Sequence, residues 1–349
     1  MLPAYAQDAK EEAGRRMRNS ADPMQDMEKG HAMRQNVEAA LSQVKNVILG
    51  KDDVIEKVFM AVLAQGHVLL DDVPGVGKTT MALAFAKSLG LEYKRVQFTS
   101  DTMPSDIIGF SVYNRETASL EYKPGAIMCN LLLADEINRT SSKTQSALLE
   151  AMEEGRVTID GITHELPAPF LVLATENPVG SAGTQMLPNS QLDRFTVRLS
   201  MGYPAVEHQV NILKARHAAN PLDRVQTTLD TDQLQQMIAE AAQIFIADDV
   251  YLYLSQLIEA TRHDENVELG VSPRGALALM RMSQAHAYVR GSDYVLPSDV
   301  LAVFGDVCGH RLMLNAKARL NEVDAGVVLE RISQSVPIPQ LSTDNPLDR

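Results

Sequence analysis

The stretch that decides the fold runs Gly66-His67-Val68-Leu69-Leu70-Asp71-Asp72-Val73-Pro74-Gly75-Val76-Gly77-Lys78-Thr79-Thr80. Its first half is a short apolar run with the pattern of a buried strand. Its second half is glycine-rich and leads into a helical pattern over Lys78–Leu89, which stops at Gly90. A loop built around Gly75 and Gly77 can aim several backbone N–H groups at one anion, and the helix it opens turns its positive dipole end the same way. Lys78 adds a positive charge for β- and γ-phosphates, and Thr79 a hydroxyl ligand for Mg²⁺. The expected nucleotide-binding set is Pro74, Gly75, Val76, Gly77, Lys78, Thr79 and Thr80. Gly50, where the preceding helix stops, is counted with them. One position departs from G-x-x-x-x-G-K-[ST]: Asp72 stands where the first glycine would be. The alternative is a plain Gly-rich turn, which the flanking strand and helix disfavour.

Working outward, short apolar or β-rich runs alternate with helical patterns. The strand candidates are His67–Leu70, Tyr93–Phe98, Cys129–Ala134, Phe170–Ala174 and Thr196–Leu199. This alternation predicts an α/β fold, an αβα layered P-loop domain with a parallel sheet. Ligands in such folds sit at the carboxyl ends of the strands. Upstream, Val37, Leu41, Val44 and Ile48 recur at helical spacing, and Asp52–Gln65 reads as a second helix. Two hairpins interrupt the pattern. One is Phe110–Tyr122, turning at Arg115-Glu116-Thr117, and the other is Arg156–Leu166, with Asp160-Gly161 as a type I′ signal. Their placement favours functional insertions over surface decoration. After Tyr203-Pro204 the strands are expected to stop. Helices are expected at Asp230–Ile246, Asp249–Arg262, Pro273–Arg290, Ser298–Leu314 and Ala325–Gln334, a small all-α helical domain. The predicted boundaries are a flexible arm over 1–34, the αβα domain over 35–203, the helical domain over 204–336 and a tail over 337–349.

Composition narrows the function classes. A chain of 349 residues has room for two cores. Lys+Arg 32 against Asp+Glu 45 leaves a formal charge of −13, which makes nucleic acid a poor generic partner. Cys129 and Cys308 form no disulfide or zinc pattern, and a reducing cytoplasm is the expected location. The scattered histidines include no H-E-x-x-H, so no transition-metal site is expected. The N-terminus lacks a basic segment followed by an apolar one, and no run approaches the length of a membrane span, so neither a secretory signal nor an integral membrane segment is expected.

The chemistry-bearing motifs follow the loop in order. Leu131–Glu136, L-L-L-A-D-E, is an apolar strand ending in two carboxylates. Asp135 is placed to hold the Mg²⁺ shell opposite Thr79, and Glu136 to polarise an attacking water. Acids often cap strands, so the motif counts through its position after the loop. The next apolar strand ends in Thr175-Glu176-Asn177-Pro178. Asn177 can hydrogen-bond the same water or a γ-phosphate; the alternative is an Asn-Pro turn. Arg194, in Gln191-Leu192-Asp193-Arg194-Phe195, is a candidate to neutralise transition-state charge in a neighbouring subunit, with a salt bridge to Asp193 as the alternative. In Val271-Ser272-Pro273-Arg274, Ser272 is a candidate N-cap and Pro273 suits the first helical position. Arg274 could then swing onto the γ-phosphate; the alternative is a solvent-facing charge.

Together these residues resemble an AAA+ ATPase of the MoxR family. The matching stretches are G-H-V-L-L-D-D-V-P-G-V-G-K-T-T, S-V-Y-N through K-P-G, L-A-D-E-I-N-R-T-S-S-K-T-Q-S-A-L-L-E-A-M-E-E, A-T-E-N-P, L-P-N-S-Q-L-D-R-F and S-P-R-G-A-L, in family order from about Ile48 to Arg311. The resemblance implies a nucleotide-binding domain, a four-helix lid and a hexameric ring. It implies Lys78 and Thr79 as Walker A, Asp135 and Glu136 as Walker B, Asn177 as sensor 1, Arg194 as arginine finger and Arg274 as sensor 2; Arg139 competes with Arg194 for the trans role. The hairpins correspond to the helix-2 insert and the pre-sensor-1 hairpin. ATP and Mg²⁺ are the implied cofactors, and a protein client and a partner with a von Willebrand factor A-type domain the implied company. The implied function is an ATP-hydrolysing, chaperone-like remodeller, in metal-cofactor insertion or complex assembly. Two alternatives share the motifs: a magnesium-chelatase-like motor subunit and a nucleotide-gated assembly scaffold with little turnover. Glu176 stands where Gln is usual, Asn189-Ser190 where an acid and a small residue are common, and Ser141-Ser142 where Ser-Pro is frequent.

Overall fold

The computed structural model describes residues 36–176 and 186–339 and divides into two units, Asn36–Ile238 and Ala239 onward. The arm over 1–34, Asn177 and the tail from 340 lie outside the described residues.

The first unit begins with helices α1 (36–45) and α2 (Asp52–Leu63). Then come β1 (Val68–Asp71), α3 (Lys78–Ser88), β2 (Tyr93–Gln97), the short α4 (Pro104–Ile108), and the hairpin β3 (Gly109–Asn114) and β4 (Ser119–Pro124). β5 (Leu131–Asp135), α5 (Ser142–Glu154), the hairpin β6 (Arg156–Ile159) and β7 (Ile162–Glu165), β8 (Leu171–Glu176), α6 (Asn189–Leu192) and β9 (Val197–Leu199) follow. α7 (Val206–Ala218) closes the unit, and α8 (Thr231–Ala241) runs through the division.

Five strands form one parallel sheet in the order β2-β5-β8-β1-β9. The three central strands read as near-continuous apolar runs because helices cover both faces. On one face Leu69, Leu132, Ala134, Val172 and Ala174 share a core with Leu148, Leu149 and Met152 of α5. The register sets Asp71 beside Glu176 and Gln97 beside Asp135, which gathers charge at the carboxyl edge. Both hairpins form. Asp160 and Gly161 have φ of 50° and 78°, the left-handed pair a type I′ turn requires. Tyr122 of one hairpin stacks on His164 of the other with ring centroids 3.9 Å apart.

In the second unit α9 (Asp248–His263), α10 (Pro273–Val289), α11 (Pro297–Cys308) and α13 (Ala325–Ser335) supply the helices. The expectation that strands stop after Tyr203-Pro204 fails here. β10 (Val267–Leu269) pairs antiparallel with β11 (Met313–Leu314). The helix expected to reach Leu314 therefore ends at Cys308, passing through a 3₁₀ turn at Gly309–Arg311 into β11. The helix expected to reach Ile246 stops at Ala241, because Phe245 exchanges backbone hydrogen bonds with Asp293 and Val295. α7 and the short α12 (Ala316–Leu320) were not foreseen; in α7 the large apolar residues Val206, Val210 and Leu213 are exposed, so no core-facing stripe announces it. Burial pushes the Asp299 carboxyl up, but His286, Arg290 and the Leu296 N–H bond it and hold it below its ordinary value. That cluster ties α10 to the start of α11.

Candidate nucleotide-binding site

The loop between β1 and α3 adopts the conformation its glycines allow. Gly75 and Gly77 have φ of 87° and 105°, a region that L side chains rarely adopt. A Cβ at Gly75 would meet nothing within 4 Å, so backbone conformation and not crowding demands glycine there. Lys78 is buried, and its Nζ donates to the Asp72 carbonyl at 2.8 Å. Burial draws the Lys78 ammonium below its ordinary range, against the opposing charges of Asp72, Asp135, Asp71 and Glu136. Those carboxylates therefore share one electrostatic neighbourhood with the loop lysine.

Asp72 explains its own departure from glycine. It is 6% exposed, and Oδ1 accepts from Ser200 Oγ at 3.0 Å and from the Gly202 N–H at 2.9 Å. Oδ2 accepts from the Met201 N–H. One side chain thus bolts the start of the phosphate loop to the segment leading to Tyr203. Lys51 Nζ donates to the Tyr203 carbonyl at 3.0 Å from the other side. Beside them lies a cavity of ≈ 420 Å³ lined by Gly75, Gly77, Thr80, Ile48, Tyr203 and Ile212 among others. A mostly apolar slot beside an N–H-rich loop suits a planar base joined to phosphates. Gly50 does not line it; a Cβ there would lie 2.3 Å from the His208 ring. Tyr203 and Ile212 were missed by sequence reasoning, because neither an aromatic in a connecting segment nor a single apolar residue on a helix without a core-facing stripe carries a motif.

β5 and β8 deliver the carboxylates. Asp135 Oδ1 accepts from Thr175 Oγ at 2.7 Å, and Oδ2 pairs with Arg95 Nη2 at 2.7 Å. Glu136 lies in the left-handed region, φ 59° and ψ 48°. Its N–H donates to the Thr175 hydroxyl at 2.8 Å, and Oε2 pairs with Arg139 Nη1 at 2.7 Å. The Thr79 hydroxyl and the Asp135 carboxylate are hard oxygen donors of the kind Mg²⁺ takes, so this donor set fits that ion. Glu176 is pushed up to about 7 by burial; the guanidinium of Arg198 opposes this and the charge of Asp71 adds to it.

Asn177 follows Glu176 and lies outside the described residues. Arg194 follows α6, with Nε 3.5 Å from Glu153 Oε2, so its ion-pair partner is Glu153 on α5. Arg274 occupies the exposed first turn of α10, where Ser272 Oγ accepts from the Gly275 N–H at 3.1 Å as an N-cap.

The family model of the ATPase family associated with various cellular activities (AAA) matches residues 67–197, and the AAA lid domain matches 259–332. An uncharacterized Bacillus subtilis protein, YeaC, is 44% identical over 86% of this chain and 94% of its own. Chaperone MoxR1 of Mycobacterium tuberculosis is 38% identical over 88% of this chain and 83% of its own. A solved chain from Cytophaga hutchinsonii, described as a candidate ATPase, superposes with a TM-score of 0.85 at 34% identity, covering 91% of this chain and 99% of that one. With the phosphate loop, the acid-tipped strands and the helical second unit in place, the chain belongs to the MoxR family of AAA+ ATPases.

Proposed function

We propose that the chain hydrolyses ATP within a homo-oligomeric ring, a hexamer by analogy with the family, and uses the cycle to remodel a protein client. The observation that carries this reading is the shared electrostatic neighbourhood of Lys78, Asp135 and Glu136 beside the cavity at the sheet's carboxyl edge. The loop N–H groups and Lys78 bind the polyphosphate. Thr79 and Asp135 would hold Mg²⁺, which when bound would supply charge neutralisation on the phosphates. Glu136 takes up the proton of the attacking water, and Asn177 orients that water. Arg194 reaches the γ-phosphate of a neighbouring subunit, and Arg274 ties the helical domain to nucleotide state. The exposed apolar stripe of Val206, Val210 and Leu213 supports burial against a second copy. Among the described residues, no helix is long and apolar enough to cross a membrane.

The proposed domain limits remain 35–203 and 204–336, with ATP and Mg²⁺ as cofactors, a reducing cytoplasm as the setting and a von Willebrand factor A-type protein as partner. Glu136→Gln tests the reading. It is expected to bind ATP as wild type does and to lose about a thousandfold in kcat; undiminished phosphate release sinks the assignment. Mixing Glu136→Gln with Arg194→Ala subunits should restore part of the activity if Arg194 acts across an interface. Mixed rings without any recovery would count against Arg194 acting in trans.

A further inference from the structure

We propose that Thr175 is a positioning residue that sets the geometry of both site carboxylates; this rests on the ATP-hydrolysis reading above. Thr175 lies on β8 and is fully buried. The paired register of β5 and β8 runs from Leu131↔Leu171 to Ala134↔Ala174 and ends there. At the next step the hydroxyl of Thr175 takes over from the backbone ladder. Its single proton goes to Asp135 Oδ1 at 2.7 Å, and its lone pair receives the Glu136 N–H at 2.8 Å. That uses one donor and one acceptor of a hydroxyl, with both partners charged or strained.

The consequences differ for the two acids. Oδ1 of Asp135 is engaged by Thr175, which leaves Oδ2 to Arg95 Nη2 at 2.7 Å. The carboxylate plane is thereby fixed, as outer partners fix metal ligands generally. Glu136 sits at φ 59°, a conformation that persists in a non-glycine residue only where its surroundings over-determine it. The bond from its N–H to Thr175 is such a constraint. Arg95 and Arg139 reach the same carboxylates from half-exposed positions, so they hold charge and not orientation. Thr175 falls in the A-T-E-N-P stretch, but the sequence gives it no role of its own there, since threonine is an ordinary strand residue.

The test compares Thr175→Val, which keeps the shape and loses the hydroxyl, with Thr175→Ser, which keeps the hydroxyl. Thr175→Ala is run alongside, so that a folding failure of one variant leaves the other. Three quantities are measured on the full chain: Mg²⁺-free binding of a fluorescent ATP analogue, Mn²⁺ titration by electron paramagnetic resonance with a nonhydrolysable ATP analogue, and steady-state ATPase kinetics. In Thr175→Val or Thr175→Ala the Mn²⁺ midpoint is expected to rise about tenfold and kcat to fall about 10- to 100-fold, with KM within about threefold of wild type. Thr175→Ser is expected within about threefold of wild type throughout, and Mg²⁺-free nucleotide binding within about twofold in every variant. Wild-type values in Thr175→Val, or a serine variant as impaired as the valine one, overturn the proposal and leave the ATPase reading standing. So does a loss confined to Mg²⁺-free nucleotide binding. Wild-type chain that binds no nucleotide overturns both.

Discussion

The two ends of the central sheet follow different rules. At the amino end His67 is buried with both ring nitrogens used. Val172 N–H donates to Nδ1 at 3.1 Å, so Nε2 carries the proton and donates to the Met152 carbonyl at 3.0 Å. Gly66 packs so closely that a Cβ would lie 2.1 Å from the Thr196 hydroxyl. At the carboxyl end Asp71, Asp135, Glu136 and Glu176 crowd together, partly matched by Lys78, Arg95, Arg139 and Arg198. The same strands in the same register build both ends. The end without chemistry is closely packed, with the His67 ring fully bonded; the other keeps like charges close and one residue in a strained conformation. Stability at that edge is spent where a charged ligand is met.

Asp72 is the exception that sharpens the contrast, a carboxylate at the carboxyl end with the full complement of partners seen at the amino end. Asp72→Ala would leave Ser200, Met201 and Gly202 donors unpaired and is expected to cost about 4 kcal/mol, the largest single effect here. Because the same bonds hold the Tyr203 wall, nucleotide affinity should fall with stability. Urea denaturation and a nucleotide titration on one preparation read both. A variant that loses stability and keeps its affinity would detach the wall from the loop.

At the amino end the prediction concerns stability alone. Burial holds His67 at about 4, raised only in part by its bond to Met152, against an ordinary 6.5. A depressed value means the fold keeps the ring neutral. The stabilisation is complete above pH 6.5 and is lost as pH falls toward 4, about 3 kcal/mol over that window. His67→Phe should flatten the dependence in acid. It should also cost about 2 kcal/mol at pH 8, where the Met152 carbonyl and Val172 N–H lose their partner. Midpoints of denaturant unfolding from pH 4 to 8 decide it; an unchanged acid slope in the variant would place the sensitivity elsewhere.

The difference between the two ends also sets what was legible beforehand. Apolar runs such as Leu131–Ala134 announce buried parallel strands because burial on both faces writes hydrophobicity without alternation. Gly75, Gly77 and Lys78 announce the loop because few residue types tolerate that backbone or supply that charge. Asp72 registered only as a departure, since nothing local says that Ser200 to Gly202 return to it. Thr175 and Tyr203 were silent for the same reason: their partners come from strands and segments distant in sequence. α7 carried no signal because Val206, Val210 and Leu213 are exposed and leave no core-facing stripe, and β11 none because its partner β10 lies more than forty residues away.

Glu176 offers a smaller and opposite pH effect. Its carboxyl, pushed up to about 7 by burial, favours the protonated form in the fold, so stability falls as pH rises from about 4.5 through 7. Screening at a partly exposed site reduces the effect to about 1–2 kcal/mol. Glu176→Gln fixes a neutral amide in place of the carboxyl and should recover that amount at pH 8 while changing little at pH 5. It also restores the residue usual at this position in the family. Equal gains at both pH values would show that charge is not the cause.

The smallest expected effect separates strain from charge at the catalytic acid. Glu136→Gln keeps a side chain at φ 59°, whereas Glu136→Gly removes the Cβ that makes this conformation costly. Both should lose turnover. Only the glycine variant should gain stability, about 1 kcal/mol less whatever its ion pair with Arg139 contributes at a half-exposed site. That corresponds to a rise in Tm of about 2–4 °C, within reach of calorimetry. A glutamine variant that gains as much as the glycine one would assign the cost to charge crowding alone. No gain in either would mean that the bond from the Glu136 N–H to Thr175 already offsets the strain, and the carboxyl edge would then be as fully satisfied as the end that carries His67.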